Sequence, residues 1–332
     1  MQYLTNAFFG RFIRALARLF QGSRFLHKQG GLGYWLNLLY EKYRPRLRQS
    51  FDTLAQGLYN RPSLAGEHHI SLLLRLPLHE TQILLAKNRL HNSRFEHRRT
   101  TVDDKTIVRR YCRAFQLPQR EDYLELVRSD GRSRIIASFH CGDFLYGSAR
   151  LFELDAATRR KYVLSLNKST PACYANLLAG FGPAAPGAEC ELLLSDSTSS
   201  TLSQLLRAGN TSLLLFCDLP PGLTEVTRIR FLNRYAWFSV GPAILALTNS
   251  VPLLPLINYF DGKVSHVSLG RQLEPMLIGS ETLRQGANRL TQELVSLFEA
   301  VFLKYPEQWR FVSLLPLYFS KPNRGSAEPI HS

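Results

Sequence analysis

The stretch from Ser133 to Ser148 contains the residue best suited to chemistry, His140. An apolar run ends at this histidine, and a glycine and a short helical pattern follow, which is how an open α/β sheet presents a reactive group at a strand's carboxyl end. A neutral imidazole accepts a proton from an alcohol, and a nearby carboxylate orients the ring. We therefore predict that His140 is a general base, with Asp143 as its nearest partner in sequence, although a histidine at a strand end is also a common structural residue.

A second apolar run, from Asn210, ends in Asp218 and a turn. This acid is predicted at the carboxyl edge of the sheet, where ligand-contacting groups gather, and we count it with His140 and Asp143 as a catalytic candidate. A basic and aromatic patch follows it and suits phosphate groups. The predicted substrate-binding residues are Arg207, Arg228, Arg230 and Arg234.

Cys141 beside His140 raises the possibility of a cysteine nucleophile. Adjacent residues of a strand point to opposite faces, so this pair is badly arranged for proton transfer, and a buried structural thiol is the better interpretation. The five cysteines are scattered and never spaced as Cys-x-x-Cys, which argues against a disulfide framework or a structural zinc site. His68 and His69 are interpreted as surface residues, and no metal or other cofactor is predicted.

From residue 133 onward, strand and helix patterns alternate, which predicts an α/β fold with a mostly parallel central sheet flanked by helices. The predicted strands are Arg134 to Phe139, Tyr162 to Leu166, Glu191 to Leu194, Ser212 to Phe216 and Val251 to Tyr259. The predicted helices are Gly142 to Glu153, Thr198 to Ala208, Val240 to Thr248 and Thr282 to Phe302.

The net charge of +15 is concentrated at the N-terminus, where the first 50 residues carry nine Lys and Arg against one acid, Glu41. Such a field indicates an anionic partner, either a membrane, nucleic acid or an acidic carrier protein. Aromatic and aliphatic residues recur there at helical spacing opposite arginines, which is typical of an amphipathic helix in a membrane interface, although a helix packed on the protein's own core has a similar stripe. The predicted membrane-binding residues are Phe8, Phe9, Arg11, Phe12, Arg14, Leu16, Arg18 and Phe20.

Four regions are predicted along the chain. They are a membrane-association segment over 1–50, a helical part over 51–130, an α/β core over 131–320 and a flexible tail over 321–332. No signal-peptide pattern is visible, because arginines interrupt the first apolar stretch. No apolar run reaches the roughly 18 residues that a spanning helix needs. The segments before the core are therefore predicted to form an N-terminal helical, membrane-facing extension.

The order of several motifs resembles the lipid A biosynthesis (lauroyl/myristoyl) acyltransferase family of the lysophospholipid acyltransferase-like superfamily. The motifs are His-x-Gly at residue 140, Leu-Leu-x-x-Gly at 205–209, the strand-end Asp218, Gly-Pro-Ala-x-Leu-Ala at 241–246, Val-Pro at 251–252 and Tyr-Pro-Glu-Gln-Trp at 305–309. The resemblance covers roughly residues 100 to 315. It implies an enzyme on the cytoplasmic face of the bacterial inner membrane that moves an acyl chain from acyl carrier protein to a hydroxyl of a lipid or glycolipid.

By this resemblance, His140 matches the catalytic histidine and Asp218 matches the acid that ends the later strand. The family places an acid five positions after the histidine, where this chain has Leu145, and Asp143 lies only three positions on. Three hypotheses follow: an active enzyme with Asp143 as the orienting acid, a weaker enzyme in which His140 works alone or with Asp218, or a non-catalytic protein that binds lipid or acyl carrier. Nucleic-acid binding is a distant fourth, because it explains neither the histidine nor the later motifs.

Overall fold

The computed structural model describes residues 65–101, 112–154, 160–165, 189–194 and 199–321. The segment 1–50, with all eight predicted membrane-binding residues, lies outside this part of the chain and stays a prediction, as does nearly all of the tail. Within the described ranges, no helix combines the length and the apolar character that a membrane-spanning segment needs.

The described chain forms an α/β structure built on a six-stranded sheet, which confirms the predicted core. The strands are β1 (Arg134–Ser138), β2 (Arg160–Ser165), β3 (Glu189–Leu194), β4 (Thr211–Phe216), β7 (Leu253–Phe260) and β8 (Ser265–Leu269). Their order is β3-β2-β4-β1-β7-β8. All neighbouring pairs are parallel except β7 with β8, whose short connection permits only an antiparallel pair.

Helices cover both faces of the sheet. The described helices are α1 (Ala65–Leu74), α2 (Leu78–Thr101), α3 (Arg120–Asp130), α4 (Phe144–Leu154), α5 (Ser199–Arg207), α6 (Gly241–Asn249), α7 (Leu283–Phe302) and α8 (Leu315–Phe319). Alternate strand residues enter two separate apolar clusters: one side of the sheet packs with α5, α6 and α7, the other with α3 and α4, and α2 contributes residues to both clusters. Central strands buried on both faces need apolar residues throughout, which is why β1 and β4 are largely continuous apolar runs.

The prediction missed two features of the sheet region. Strand β8 adds an antiparallel edge. A separate hairpin, β5 (Val226–Phe231) with β6 (Arg234–Ser239), follows the strand that ends before Asp218. The hairpin turns at Leu232 and Asn233, which both have positive φ, the geometry of a two-residue turn of the kind that favours asparagine.

Adjacent strands β4 and β1 form the switch point of the sheet. The chain leaving β1 reaches β2 beyond β4, whereas the chain leaving β4 reaches β7 beyond β1. The two connections lie on opposite faces of the sheet, since α4 after β1 packs in one apolar cluster and α6 after β4 packs in the other. The carboxyl ends of β4 and β1 therefore border a crevice, which is where open α/β sheets bind their ligands.

Candidate active site

His140 and Asp218 extend the pairing of β1 and β4 past the ends of both strands. Ser138 lies opposite Phe216 in the parallel register. The backbone N–H of Cys217 then donates to the carbonyl of Ser138 over 2.8 Å, which continues the ladder by one step. Two residues beyond Ser138 and Phe216 on their strands, His140 and Asp218 therefore meet at the switch point.

The two side chains form a histidine–carboxylate pair. Nδ1 of His140 lies 2.8 Å from Oδ1 of Asp218, and the backbone N–H of His140 donates to Oδ2 over 2.8 Å. When Asp218 is ionised, its oxygens only accept; Nδ1 then donates the shared proton and Nε2 keeps the lone pair. This is the tautomer that a general base requires, and the acid holds the ring in a fixed orientation.

Three phenylalanines surround the imidazole. Phe216 stacks on it at 4.1 Å between ring centroids, while Phe144 and Phe311 present edges at 4.7 and 5.1 Å. The His140 side chain is 13% exposed, so part of the ring reaches the surface between these rings. The mouth of the site is consequently apolar, which favours a substrate with an uncharged, hydrocarbon-like portion beside the reacting group.

Asp218 is completely buried and accepts hydrogen bonds from three residues. Besides the two bonds from His140, its Oδ2 accepts from Nε1 of Trp309 at 2.7 Å. Its backbone carbonyl accepts from the hydroxyl of Tyr318 at 2.6 Å. Burial raises the pKa of Tyr318, so this hydroxyl keeps its proton and donates. A buried carboxylate persists only when it is hydrogen-bonded in this way.

The segment Tyr305–Phe311 closes the site from the C-terminal side. The N–H of Gly142 donates to the carbonyl of Gln308 at 3.0 Å, and the N–H of Arg310 donates to the carbonyl of His140 at 2.8 Å. The Gln308 amide makes two 2.7 Å bonds with the backbone of Phe260. The sequence singled out this segment as a motif without a role, and the structure shows it attached to both His140 and Asp218.

Asp143 directly precedes α4, and Leu145 lies in its first turn. Among the described residues, the ring of His140 hydrogen-bonds Asp218 and not Asp143, whose side chain is largely buried and whose carbonyl accepts from the N–H of Gly147. Leu145, five positions after His140, packs in the apolar cluster beneath α4. The orienting acid in this geometry is thus Asp218, which replaces the pairing that sequence proximity favoured.

The four predicted substrate-binding arginines do not converge on His140. Arg207 ends α5 just before β4 begins, so the length of β4, about 20 Å at 3.3 Å per residue, separates it from the opposite edge. Arg228 and Arg230 lie on the exposed side of β5, and the guanidinium of Arg228 covers the ring of Tyr235 at 4.5 Å. Arg234 begins β6 beside the turn. The role of these four arginines as substrate ligands stays a prediction; three of them lie on the hairpin and Arg207 lies at the end of α5.

The position of Cys141 in the core makes its thiol unreactive. It is fully buried, and burial, together with the charge of Asp218, raises the pKa of its thiol far above the ordinary range. Since the thiolate is the reactive form, Cys141 has no nucleophilic role here. Among the described residues, no group of three His, Cys, Asp or Glu side chains could hold a metal ion.

The contribution of α2 could not be seen in the sequence. Nδ2 of Asn88 donates to the carbonyls of Glu307 and Trp309, at 3.0 and 2.6 Å, and Nδ2 of Asn92 donates to that of Arg310 at 3.1 Å. The only local signal was two asparagines spaced by four residues within a helix, a position that asparagine does not favour.

The chain matches none of the protein-family models, and no curated protein sequence matches it significantly. The likeness to the lipid A acyltransferases therefore rests on the ordered motifs themselves. The fold and the site define an α/β protein with an open sheet, in which a partly exposed histidine pairs with a buried aspartate at the switch point.

Proposed function

We propose that this protein is an acyltransferase that moves a fatty-acyl chain from an acyl carrier protein thioester to a hydroxyl of a lipid or glycolipid acceptor. The observation that carries the proposal is the His140–Asp218 pair, with Nδ1 bonded to the carboxylate and Nε2 left as a base among three phenylalanines. Acyl transfer to an alcohol needs such a base, and an acyl chain needs such an apolar mouth.

In the proposed reaction, one proton and one acyl group are transferred, and His140 first accepts the proton and later returns it. Nε2 of His140 takes the proton of the acceptor hydroxyl while the oxygen attacks the thioester carbonyl carbon. The carbon–sulfur bond breaks as the tetrahedral intermediate collapses, and the imidazolium returns the proton to the departing thiolate. The products are an ester and a free carrier thiol. Asp218 stays ionised and stabilises the imidazolium between the two steps.

The charge distribution supports a membrane location. Nine basic residues against Glu41 in the first 50 positions suit anionic headgroups and an acidic carrier protein. We propose that segment 1–50 attaches the enzyme peripherally to the cytoplasmic face of the bacterial inner membrane. Deleting residues 1 to 21 should move the protein to the soluble fraction of fractionated cells, and a wild-type protein found in that fraction contradicts the attachment.

One observation favours a second candidate, a homologue that binds lipid or acyl carrier with little or no catalysis. Leu145 fills the family's acid position with a buried apolar side chain. The two candidates differ in whether Asp218, at the end of β4, can orient His140 in place of an acid at position 145. Hydrogen bonds from three residues to its carboxylate and backbone support an active pair.

The deciding experiment is mass spectrometry of lipids after incubating the full chain with acyl carrier protein thioesters and a membrane lipid extract. The proposal expects a lipid heavier by one acyl group with the wild type and none with a folded His140→Ala variant. Equal product from that variant removes the catalytic assignment. Carrier or vesicle binding without product by the wild type selects the second candidate.

A further inference from the structure

We propose that Trp309 is a positioning residue for the His140–Asp218 pair, and that Asn88 of α2 holds Trp309 in place. The catalytic meaning of this inference rests on the proposed function, while the hydrogen bonds themselves are testable without any substrate. The Tyr-Pro-Glu-Gln-Trp motif thereby gains a role, because its tryptophan fixes which oxygen of Asp218 faces the imidazole.

The two oxygens of Asp218 have different partners. Oδ1 faces Nδ1 of His140, whereas Oδ2 accepts both the backbone N–H of His140 and the indole N–H of Trp309. Two donors converging on Oδ2 prevent the carboxylate from rotating, so Oδ1 stays aimed at the ring. The indole also draws negative charge toward Oδ2, which moderates how strongly Oδ1 holds the histidine proton.

The indole itself has no freedom to move. Trp309 is fully buried, and the rings of Phe298 and Phe302 meet it at centroid distances of 5.5 Å each, with Tyr318 at 5.0 Å. Rings packed from several directions fix both the position and the tilt of the N–H group. Aromatic packing in the C-terminal part of the chain thus sets a distance at the catalytic pair.

The backbone of Trp309 is held from the other side by α2. Asn88 is almost completely buried, and its amide donates to the carbonyls on both sides of Gln308, those of Glu307 and Trp309. Asn92, one helical turn on, donates to the carbonyl of Arg310 and to Oδ1 of Asn88. Hydrogen-bond partners of metal-ligating side chains typically contribute about 10- to 100-fold to activity, and we expect an effect of the same order from the support of Trp309.

The test compares Trp309→Phe with Tyr318→Phe. Each removes one buried donor to Asp218, but only the tryptophan bonds the carboxylate. We expect Trp309→Phe to lower kcat about 10- to 100-fold with KM unchanged, and to move the acid limb of the pH–rate profile to higher pH because the freed carboxylate holds the imidazolium more strongly. Tyr318→Phe should lower stability and leave that limb in place.

If Trp309→Phe does not fold, nuclear magnetic resonance of the wild-type protein tests the same inference. The chain has three tryptophans, so indole-¹⁵N labelling gives three signals, assigned through Trp35→Phe and Trp237→Phe. The Trp309 signal should shift with the same midpoint as the imidazole of His140 when pH is varied. A Trp309 signal that ignores the histidine titration, or a wild-type pH profile in Trp309→Phe, overturns the inference. Coupled titration in a protein without acyl transfer refutes the proposed function alone.

Discussion

His140 and Asp218 are 78 positions apart in the chain and 2.8 Å apart between Nδ1 and Oδ1. The same offset of 78 joins Ser133 to Thr211, where the N–H of Thr211 donates to the hydroxyl of Ser133 at the opposite end of the same strands. The histidine–aspartate pair therefore keeps the same register as the β1–β4 ladder, one step past its end. A one-residue slip of β4 in that register would turn Asp218 to the opposite face of the sheet, away from the histidine ring.

Asp218→Asn should reduce acyl transfer by about 10⁴-fold, because an amide cannot stabilise the imidazolium and favours the wrong tautomer. Asp143→Asn provides the matched control, since it makes the same chemical change at a buried acid that does not bond the ring. We expect a far smaller loss there. Steady-state rates with acyl carrier protein thioester and lipid acceptor check both, and a larger loss in Asp143→Asn contradicts the assignment of Asp218.

Leu145→Glu should destabilise the protein and not improve catalysis. The new carboxylate would lie in the apolar cluster beneath α4 without a partner, at a cost of about 3 kcal/mol. Burial raises the pKa of such a carboxyl, so the loss of stability should grow between about pH 5 and pH 8, where the unfolded chain ionises freely.

Urea unfolding at the two pH values measures this effect, with Leu145→Met as the volume-conserving control. Unchanged stability together with a gain in activity would contradict this prediction, because it would mean that a carboxylate at position 145 interacts with His140.

Gly147→Ala should destabilise by about 1–3 kcal/mol, because helix α4 lies too close to β7 for a side chain. A Cβ at this position would lie 1.9 Å from Oδ1 of Asn258, which is itself fully buried. Gly66→Ala in α1 is the control, since a Cβ there meets nothing within 4 Å and should be neutral or slightly stabilising. Equal unfolding midpoints for the two variants would contradict the close approach of α4 and β7.

Asp261 should contribute stability that disappears in acid. Burial alone raises the pKa of this carboxyl, but the N–H of Val264, the side chain of His266 and the N–H of Lys263 outweigh it and lower the pKa to about 2. A depressed pKa favours the folded state above the unfolded value of 3.8 and loses that effect as pH falls toward 2.

Wild type and Asp261→Asn should accordingly differ most in unfolding free energy above about pH 4 and converge by about pH 2. Parallel urea titrations across this range test the sign. A difference that stays constant with pH would mean that the carboxylate's charge plays no part in holding the β7–β8 turn.

The sequence predicted well where the strands end, but it did not predict which strands lie side by side in the sheet. Apolar runs ending at His140 and Asp218 mark two carboxyl ends, because central strands are buried on both faces. No local sequence pattern indicates that β4 lies beside β1, because the order of strands depends on how the connecting helices pack on the sheet. Proximity in sequence consequently favoured Asp143, whereas the fold brings in an acid from the adjacent strand.

The hairpin and the support from α2 were missed for different reasons. Val226–Phe231 does alternate, with Thr227, Ile229 and Phe231 buried, but arginines at the intervening positions resembled a phosphate-binding patch. Period-two alternation was the signal available there. Asn88 gave no usable signal, because its partners are backbone carbonyls 219 and 221 positions away. Every residue has a backbone carbonyl, so the sequence does not mark which ones accept these hydrogen bonds.

Trp309 and Tyr318 lie 91 and 100 positions after the aspartate that they bond. During synthesis on the ribosome, β1 and β4 can pair long before either aromatic residue has been made. A nascent chain that stops short of residue 309 would present Asp218 with both aromatic donors absent, and Phe298 and Phe302 of α7 would lack their contacts with the indole. The hydrogen bonds around Asp218 are thus completed late in the synthesis of each molecule, and prematurely terminated products should be recognised by quality control as incomplete folds.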